Sequence, residues 1–188
     1  MSLTVFLDRD GVINRKMPEP RYVTSWGEFE FLPGALEGLA SLAKMDVRIV
    51  VVSNQRGVAR GVYTEETLAD MHSRMKAAVE AAGGRIDAIY YCPHEGGCNC
   101  RKPATGMFEQ AAREIPGVDL REAIVIGDNV CDLEAAARLG CPSILVGSDE
   151  RRRNILGKAL GIGVRVWRSA GSLDEAVGLL RDPRHSTT

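Results

Sequence analysis

The chain has 188 residues, 45% of them hydrophobic and 26% charged, with a formal net charge of −1. That length suits a single domain spanning 1–188 with a substantial core. The near-neutral balance offers no basic field for nucleic acid or an anionic membrane, and no apolar run approaches the ~20 residues of a membrane helix. The five cysteines are odd in number and unevenly spread. They argue against a disulfide framework and for a reducing compartment, so the expected location is cytoplasmic. The chain enters a strand at once, leaving no room for a signal peptide, and a monomer is expected.

Residues 4–7 read as a buried strand that ends abruptly in Asp8 and Asp10, followed by Gly11. Residues 14–31, with Pro18 and Pro20, form a loop. Pro33-Gly34 then introduces a helix over 35–45, with Leu36, Leu39, Leu42 and Ala43 on one face. Residues 47–52 are β-branched apart from Arg48 and suit a central parallel strand that stops at Ser53-Asn54. Thr64 caps a long helix, with Glu65 and Glu66 in its first turn and Leu68, Met71, Met75 and Val79 as its buried stripe. A third strand is expected over 86–91, a cysteine-rich loop over 92–100, and a helix over 106–115. A fourth strand, 123–126, ends in Gly127-Asp128-Asn129, where Asp128 is a credible helix cap. A helix over 131–139 stops at Gly140 and Pro142, and a fifth strand covers 143–146. A sixth strand is placed at 164–167, and Ser172 to Glu175 reads as a capping box for the last helix. Arg151-Arg152-Arg153 reads as a solvated charge run, His72 as packing, and the tail from Pro183, with His185, as frayed.

Strands alternating with helices imply a doubly wound parallel α/β sheet with helices on both faces. In such a sheet the polar strand ends share one edge, where ligands bind. That edge collects Asp8, Asp10, Ser53, Asn54, Arg101, Lys102 and Asp128. The groups suit phosphoryl transfer. Three acids, Asp8, Asp10 and Asp128, can hold Mg²⁺, which takes hard oxygen ligands. A carboxylate can attack phosphorus and form an acyl phosphate. Ser53 and Lys102 can hydrogen-bond the equatorial oxygens, and Asp10 can protonate the leaving group and later activate water.

These four strand-end motifs resemble those of the haloacid dehalogenase (HAD) superfamily phosphatases. They are Asp8-Arg9-Asp10-Gly11-Val12, Ser53 after 49–52, Lys102, and Gly127-Asp128 followed by Asp132. The resemblance implies Asp8 as nucleophile and Asp10 as acid/base. It also implies Mg²⁺ on Asp8, Asp128 and the main-chain carbonyl of Asp10, with Asp132 behind Lys102 or a metal-bound water. The second aspartate favours phosphatases over dehalogenases. The interval between the first two motifs leaves no room for a helical lid, so a capless form is expected.

Cys92, His94, Cys98 and Cys100 lie within nine positions. A Cys₃His set suits tetrahedral structural Zn²⁺; the alternative is a loop of free thiols with an exposed histidine. Tyr90 to His94, then Cys98 to Pro103, resembles the zinc loop of heptose bisphosphate phosphatases and the related histidinol-phosphate phosphatases, as does the run from Ser53 to Gly61. The short His94–Cys98 interval, Asn129 and Arg56 depart from that pattern. The resemblance implies hydrolysis of the 7-phosphate of D-glycero-D-manno-heptose 1,7-bisphosphate through an aspartyl phosphate, in nucleotide-activated heptose supply for lipopolysaccharide. Histidinol phosphate or another small sugar phosphate is the alternative substrate, and a non-catalytic zinc-stabilised binding module is the remote alternative. Substrate contacts are expected from Ser53, Asn54, Gln55, Arg56, Arg101 and Lys102. Arg56, Arg60 and Arg101 are the available anion clamps, and Arg101 is the favoured one.

Overall fold

The computed structural model describes residues 2–180. Six parallel strands form one sheet in the order β3-β2-β1-β4-β5-β6. They are β1 (Leu3–Leu7), β2 (Val47–Asn54), β3 (Ala88–Cys92), β4 (Ile124–Gly127), β5 (Ser143–Val146) and β6 (Arg168–Ala170). The helices between and after them are α1 (Ala35–Ala43), α2 (Glu65–Ala81), α3 (Gly106–Glu114), α4 (Val130–Leu139), α5 (Asp149–Gly161) and α6 (Leu173–Leu180). Strand order reverses between β1 and β4, so the crevice expected of a doubly wound sheet opens where Asp8 and Asp128 emerge.

Alternation along the central strands sends side chains to both faces. Val5, Leu7, Ile49, Val51 and Ile126 pack with Leu39 and Leu42 of α1, Leu68, Met71 and Met75 of α2, and Leu173 and Val177 of α6. Phe6, Val50, Val52 and Val125 face Met107 and Phe108 of α3 and Ala135 and Ala136 of α4. There Phe6 meets Phe108 edge-on at 5.0 Å between ring centroids. With both faces covered, the strands are near-continuous apolar runs, and only their ends can carry polar chemistry.

The elements match the expected ones closely over the first five strands. Thr64 accepts from Thr67 N–H and opens α2 as expected. Three expectations change. The N-cap of α4 is Asn129 rather than Asp128; its side chain accepts from Val130 N–H while Asp132 accepts from Asn129 N–H. That shift frees Asp128 for the crevice. The sixth strand is Arg168–Ala170, not 164–167. An additional helix, α5, starts at Ser148 and carries the arginine run. At α6, Glu175 reaches back to Gly171 N–H. The interval from β1 to β2 holds a loop, a single 3₁₀ turn at Trp26–Glu28, and α1. The tail from Pro183, His185 included, lies outside the described residues.

Candidate active site

Asp8 follows β1 directly and is 8% exposed. The Lys102 ammonium lies 2.9 Å from Asp8 Oδ1 and 2.6 Å from Asp132 Oδ1, and it donates to Val52 O at 2.7 Å. One buried cation thus bridges two buried carboxylates and a strand-end carbonyl. Burial pushes the Asp8 carboxyl up to about 7; Lys102 opposes this, while Asp132, Asp128 and Asp10 add to it. Burial alone would lower the Lys102 ammonium, but Asp132 and Asp8 outweigh it and raise it. Asp8, Asp128 and Asp132 each offer an oxygen within 4.8 Å of the others. Asp132 is already engaged by Lys102 and Asn129. Asp128 Oδ1 is buried without a hydrogen-bond partner. A buried carboxylate oxygen with no donor is costly unless a cation satisfies it. The donor set therefore fits a hard divalent ion such as Mg²⁺.

Gly11 makes this approach possible. Its φ is +98°, and a Cβ there would sit 2.2 Å from Asp128 Oδ2. Only glycine lets the turn after β1 pass so close to the acid after β4.

Asp10 is held by three side chains. Arg9 Nη2 and Asn14 Nδ2 donate to Oδ1 at 2.9 Å each, and Gln55 Nε2 donates to Oδ2 at 2.7 Å. Burial would raise this carboxyl, but the Arg9 charge and the three donors hold it below the usual range. Arg9 is 1% exposed, with its guanidinium carbon 5.9 Å from the Phe29 ring centroid and Nη1 3.3 Å from His72 Nε2. Gln55 Nε2 also donates to Ser53 Oγ at 2.7 Å, and Tyr63 donates to Gln55 Oε1 at 2.6 Å.

Three loops close over this floor. Asn54 turns both ends of its amide to the Lys102 backbone, donating to its carbonyl at 3.0 Å and accepting from its N–H at 2.9 Å. It thus anchors the lysine loop instead of pointing into open space. Arg56 donates to Tyr22 at 2.9 Å and pairs with Glu19 at 3.1 Å; Arg60 pairs with Glu95 and donates to Tyr22 at 3.2 Å. Arg101 lines the same cleft as Asp8, Lys16, Tyr22 and Arg56, and donates to His94 O at 3.4 Å. In the cysteine loop, Sγ–Sγ separations are 3.1 Å for Cys92–Cys100, 3.4 Å for Cys98–Cys100 and 3.6 Å for Cys92–Cys98. His94 Nδ1 is 3.2 Å from Cys100 Sγ. Three thiols and an imidazole gathered on one centre are a group that could hold a zinc ion. Burial pushes the Cys92 thiol up to about 12. Burial also opposes ionisation of Cys98, but the Arg101 N–H and its neighbours outweigh it and bring that thiol to about 6.

Residues 99–165 match the HAD-hydrolase-like family model. The D-glycero-beta-D-manno-heptose-1,7-bisphosphate 7-phosphatase of Bordetella bronchiseptica is 39% identical over 173 residues, covering 91% of this chain and 95% of that one. The Pseudomonas aeruginosa enzyme of the same name is 37% identical over 175 residues, 92% and 96% of the two chains. The crystal structure of the B. bronchiseptica D,D-heptose 1,7-bisphosphate phosphatase, complexed with magnesium and phosphate, superposes with a TM-score of 0.84 at 37% identity, covering 95% and 97%. The chain belongs to the heptose-bisphosphate phosphatase family of HAD hydrolases. The cleft at the ends of β1, β2 and β4 gathers Asp8, Asp10, Ser53, Lys102 and Asp128.

Within this family frame, several contacts escape motif reading. Arg151 donates to Asp128 Oδ2 at 2.6 Å, and Lys16 lies 3.9 Å from the same atom. The arginine run is therefore not simply a solvated face: its first member reaches the crevice. Its position three residues beyond Ser148, which caps a helix at the end of β5, is the signal that could have found it. Tyr22 has no such local signal, because its partners Arg56 and Arg60 lie more than thirty residues away, and the contacts of Asn14 with Asp10 and of Tyr63 with Gln55 follow no motif spacing.

Proposed function

We propose that this enzyme, a phosphoric monoester hydrolase, removes the 7-phosphate of D-glycero-D-manno-heptose 1,7-bisphosphate in the supply of nucleotide-activated heptose. The observation that carries the reading is the gathering of Asp8, Lys102 and Asp128 at the β1–β4 crevice, beside Asp10. Asp8 attacks phosphorus; the bond to the sugar oxygen breaks and an aspartyl phosphate forms. Asp10, ionised in the free protein, takes up the proton of the phosphate monoanion and gives it to the leaving oxygen. It then takes one from the water that attacks phosphorus, and inorganic phosphate departs with Asp8 restored. Lys102 and the Ser53 hydroxyl hold the equatorial oxygens. Mg²⁺ on Asp8, Asp128 and the Asp10 carbonyl would supply neutralising charge to the phosphoryl group.

Arg101, with Arg56 beside Tyr22, is placed to take the distal phosphate, since a planar guanidinium grips phosphate bidentately. Gln55 and Asn54 act by holding other groups. Cys92, His94, Cys98 and Cys100 would hold structural Zn²⁺ and so stiffen the loop that presents Arg101 and Lys102. We read 1–188 as one catalytic domain, monomeric and cytoplasmic; an odd, unevenly spread set of cysteines without a disulfide framework supports a reducing compartment.

Phosphate release from both anomers of the bisphosphate, from histidinol phosphate and from single sugar phosphates tests the assignment. The bisphosphate is expected to give the highest kcat/KM, and a much higher value for histidinol phosphate would overturn it. Asp8→Asn is expected to lower kcat at least about a thousandfold. Equal activity would refute the covalent route.

A further inference from the structure

The amide of Gln55 sits between two groups of the proposed chemistry. Its Nε2 is 2.7 Å from Asp10 Oδ2 and 2.7 Å from Ser53 Oγ, so both its N–H bonds are used. The orientation is not free. The opposite orientation would aim a carbonyl oxygen at the Asp10 carboxylate, whereas Oε1 instead accepts the Tyr63 hydroxyl at 2.6 Å. Tyr63 is itself fixed: it is 7% exposed, and a Cβ on Gly57 would lie 2.3 Å from its Cε1. A bare glycine backbone therefore lies against the ring that sets the amide.

Two consequences follow for proton directions. Asp10 Oδ1 is saturated by Arg9 and Asn14, which are 1% and 0% exposed, so it faces the protein. Oδ2 carries one donor only, from Gln55, and is the oxygen left to exchange a proton with a leaving group. Ser53 Oγ accepts from Gln55, so its own hydrogen remains free to donate toward a phosphoryl oxygen.

We propose that Gln55, held by Tyr63 against Gly57, is a positioning residue that aims Asp10 Oδ2 and the Ser53 hydroxyl at the substrate. It touches no reacting atom and acts through those two groups. The proposal rests on the phosphatase reading above, with Asp10 as acid.

The test compares the heptose bisphosphate, whose leaving alkoxide needs a proton, with p-nitrophenyl phosphate, whose phenolate does not. Tyr63→Phe keeps the ring against Gly57 and removes one hydrogen bond; Gln55→Met keeps the approximate volume and removes the donors without adding a charge beside Asp10. Tyr63→Phe should lower kcat/KM on the bisphosphate about tenfold and on p-nitrophenyl phosphate less than about threefold, with Gln55→Met showing the same contrast more strongly. The thermal midpoint of Tyr63→Phe should stay near that of the parent. Equal losses on the two substrates, or no loss on either, would overturn the proposal. A parent protein that releases phosphate from neither substrate would instead overturn the phosphatase reading.

Discussion

The cost of the site is concentrated in single buried side chains. Lys102 is 3% exposed and is the shared cation for Asp8 and Asp132. Removing one partner of a buried ion set costs about 3–5 kcal/mol, because the charges left behind have no water. Lys102→Met should therefore lower the urea unfolding free energy by that amount in the presence of chelator, besides abolishing turnover; unchanged stability would show that Asp8 and Asp132 have another counter-charge. His72 shows the opposite case. Burial pushes its imidazole down to about 3, and the adjacent Arg9 charge adds to this. Its folded pKa lies below the ordinary 6.5, so its contribution is present above 6.5 and is lost as pH falls toward 3. Across that window the unfolded chain binds the extra proton, costing up to about 1.4 kcal/mol per pH unit. In His72→Gln, a plot of unfolding free energy against pH should be flatter between 6.5 and 4.5 than in the parent; identical slopes would mean that His72 takes up its proton while folded. At this scale the sequence pointed to Asp8, Asp10 and Asp128, because a strand end is a local feature, and it reached Lys102, ten residues beyond the end of β3, through its motif. It did not reveal the aim of Gln55, which depends on Asp10, 45 residues earlier, and on Tyr63, eight residues later.

Elements were legible in proportion to how much apolar surface they bury. β1 and β2 are continuous apolar runs, and α2 carries a regular stripe, so their bounds could be read closely. α5 buries only Ile155 and Ala159 among its thirteen residues, and its charges conceal the helical period. Its readable sign was the cap, Ser148 followed by Asp149 and Glu150, which favours the positive helix end. β6 lies at the sheet edge with two of its three residues exposed, so neither alternation nor apolarity marks it. The turn after β1 is the element on which the crevice depends. Gly11→Ala meets two obstacles at once, a positive φ and the Asp128 carboxylate. It should cost about 1–3 kcal/mol of stability and displace Asp128 or the turn. Magnesium titration by calorimetry should show affinity weakened by at least about tenfold; unaltered magnesium affinity would mean that the turn relaxes without moving the acid.

Across the whole molecule, the reversal of strand order explains why remote motifs converge. β1 and β4 are neighbours in space although more than a hundred residues separate them. The cysteine loop completes the enclosure from the β3 side. Its Cys92 belongs to the Phe6–Phe108 side of the core. Gly106 N–H donates to Asn99 O at 2.9 Å, and Asn54 grips the Lys102 backbone, so the loop is tied to α3 and to β2. Those ties hold its ends. The stretch carrying Glu95, Gly96 and Gly97 is exposed, and besides the Arg60–Glu95 ion pair its order comes from the four ligand side chains. Metal analysis of the purified protein should find about one equivalent of zinc. Stripping it should leave the sheet intact, because its faces are buried mainly by the helices of both layers. The thermal midpoint should fall by about 5 °C, as expected for losing about 1–2 kcal/mol in a chain of this size. Limited proteolysis should then cut within 93–99, and kcat should fall through the displaced Lys102. Cys98→Ser should reproduce all three effects with zinc present. A stripped protein that resists the protease as well as the loaded one would show that the loop is held by its hydrogen bonds alone.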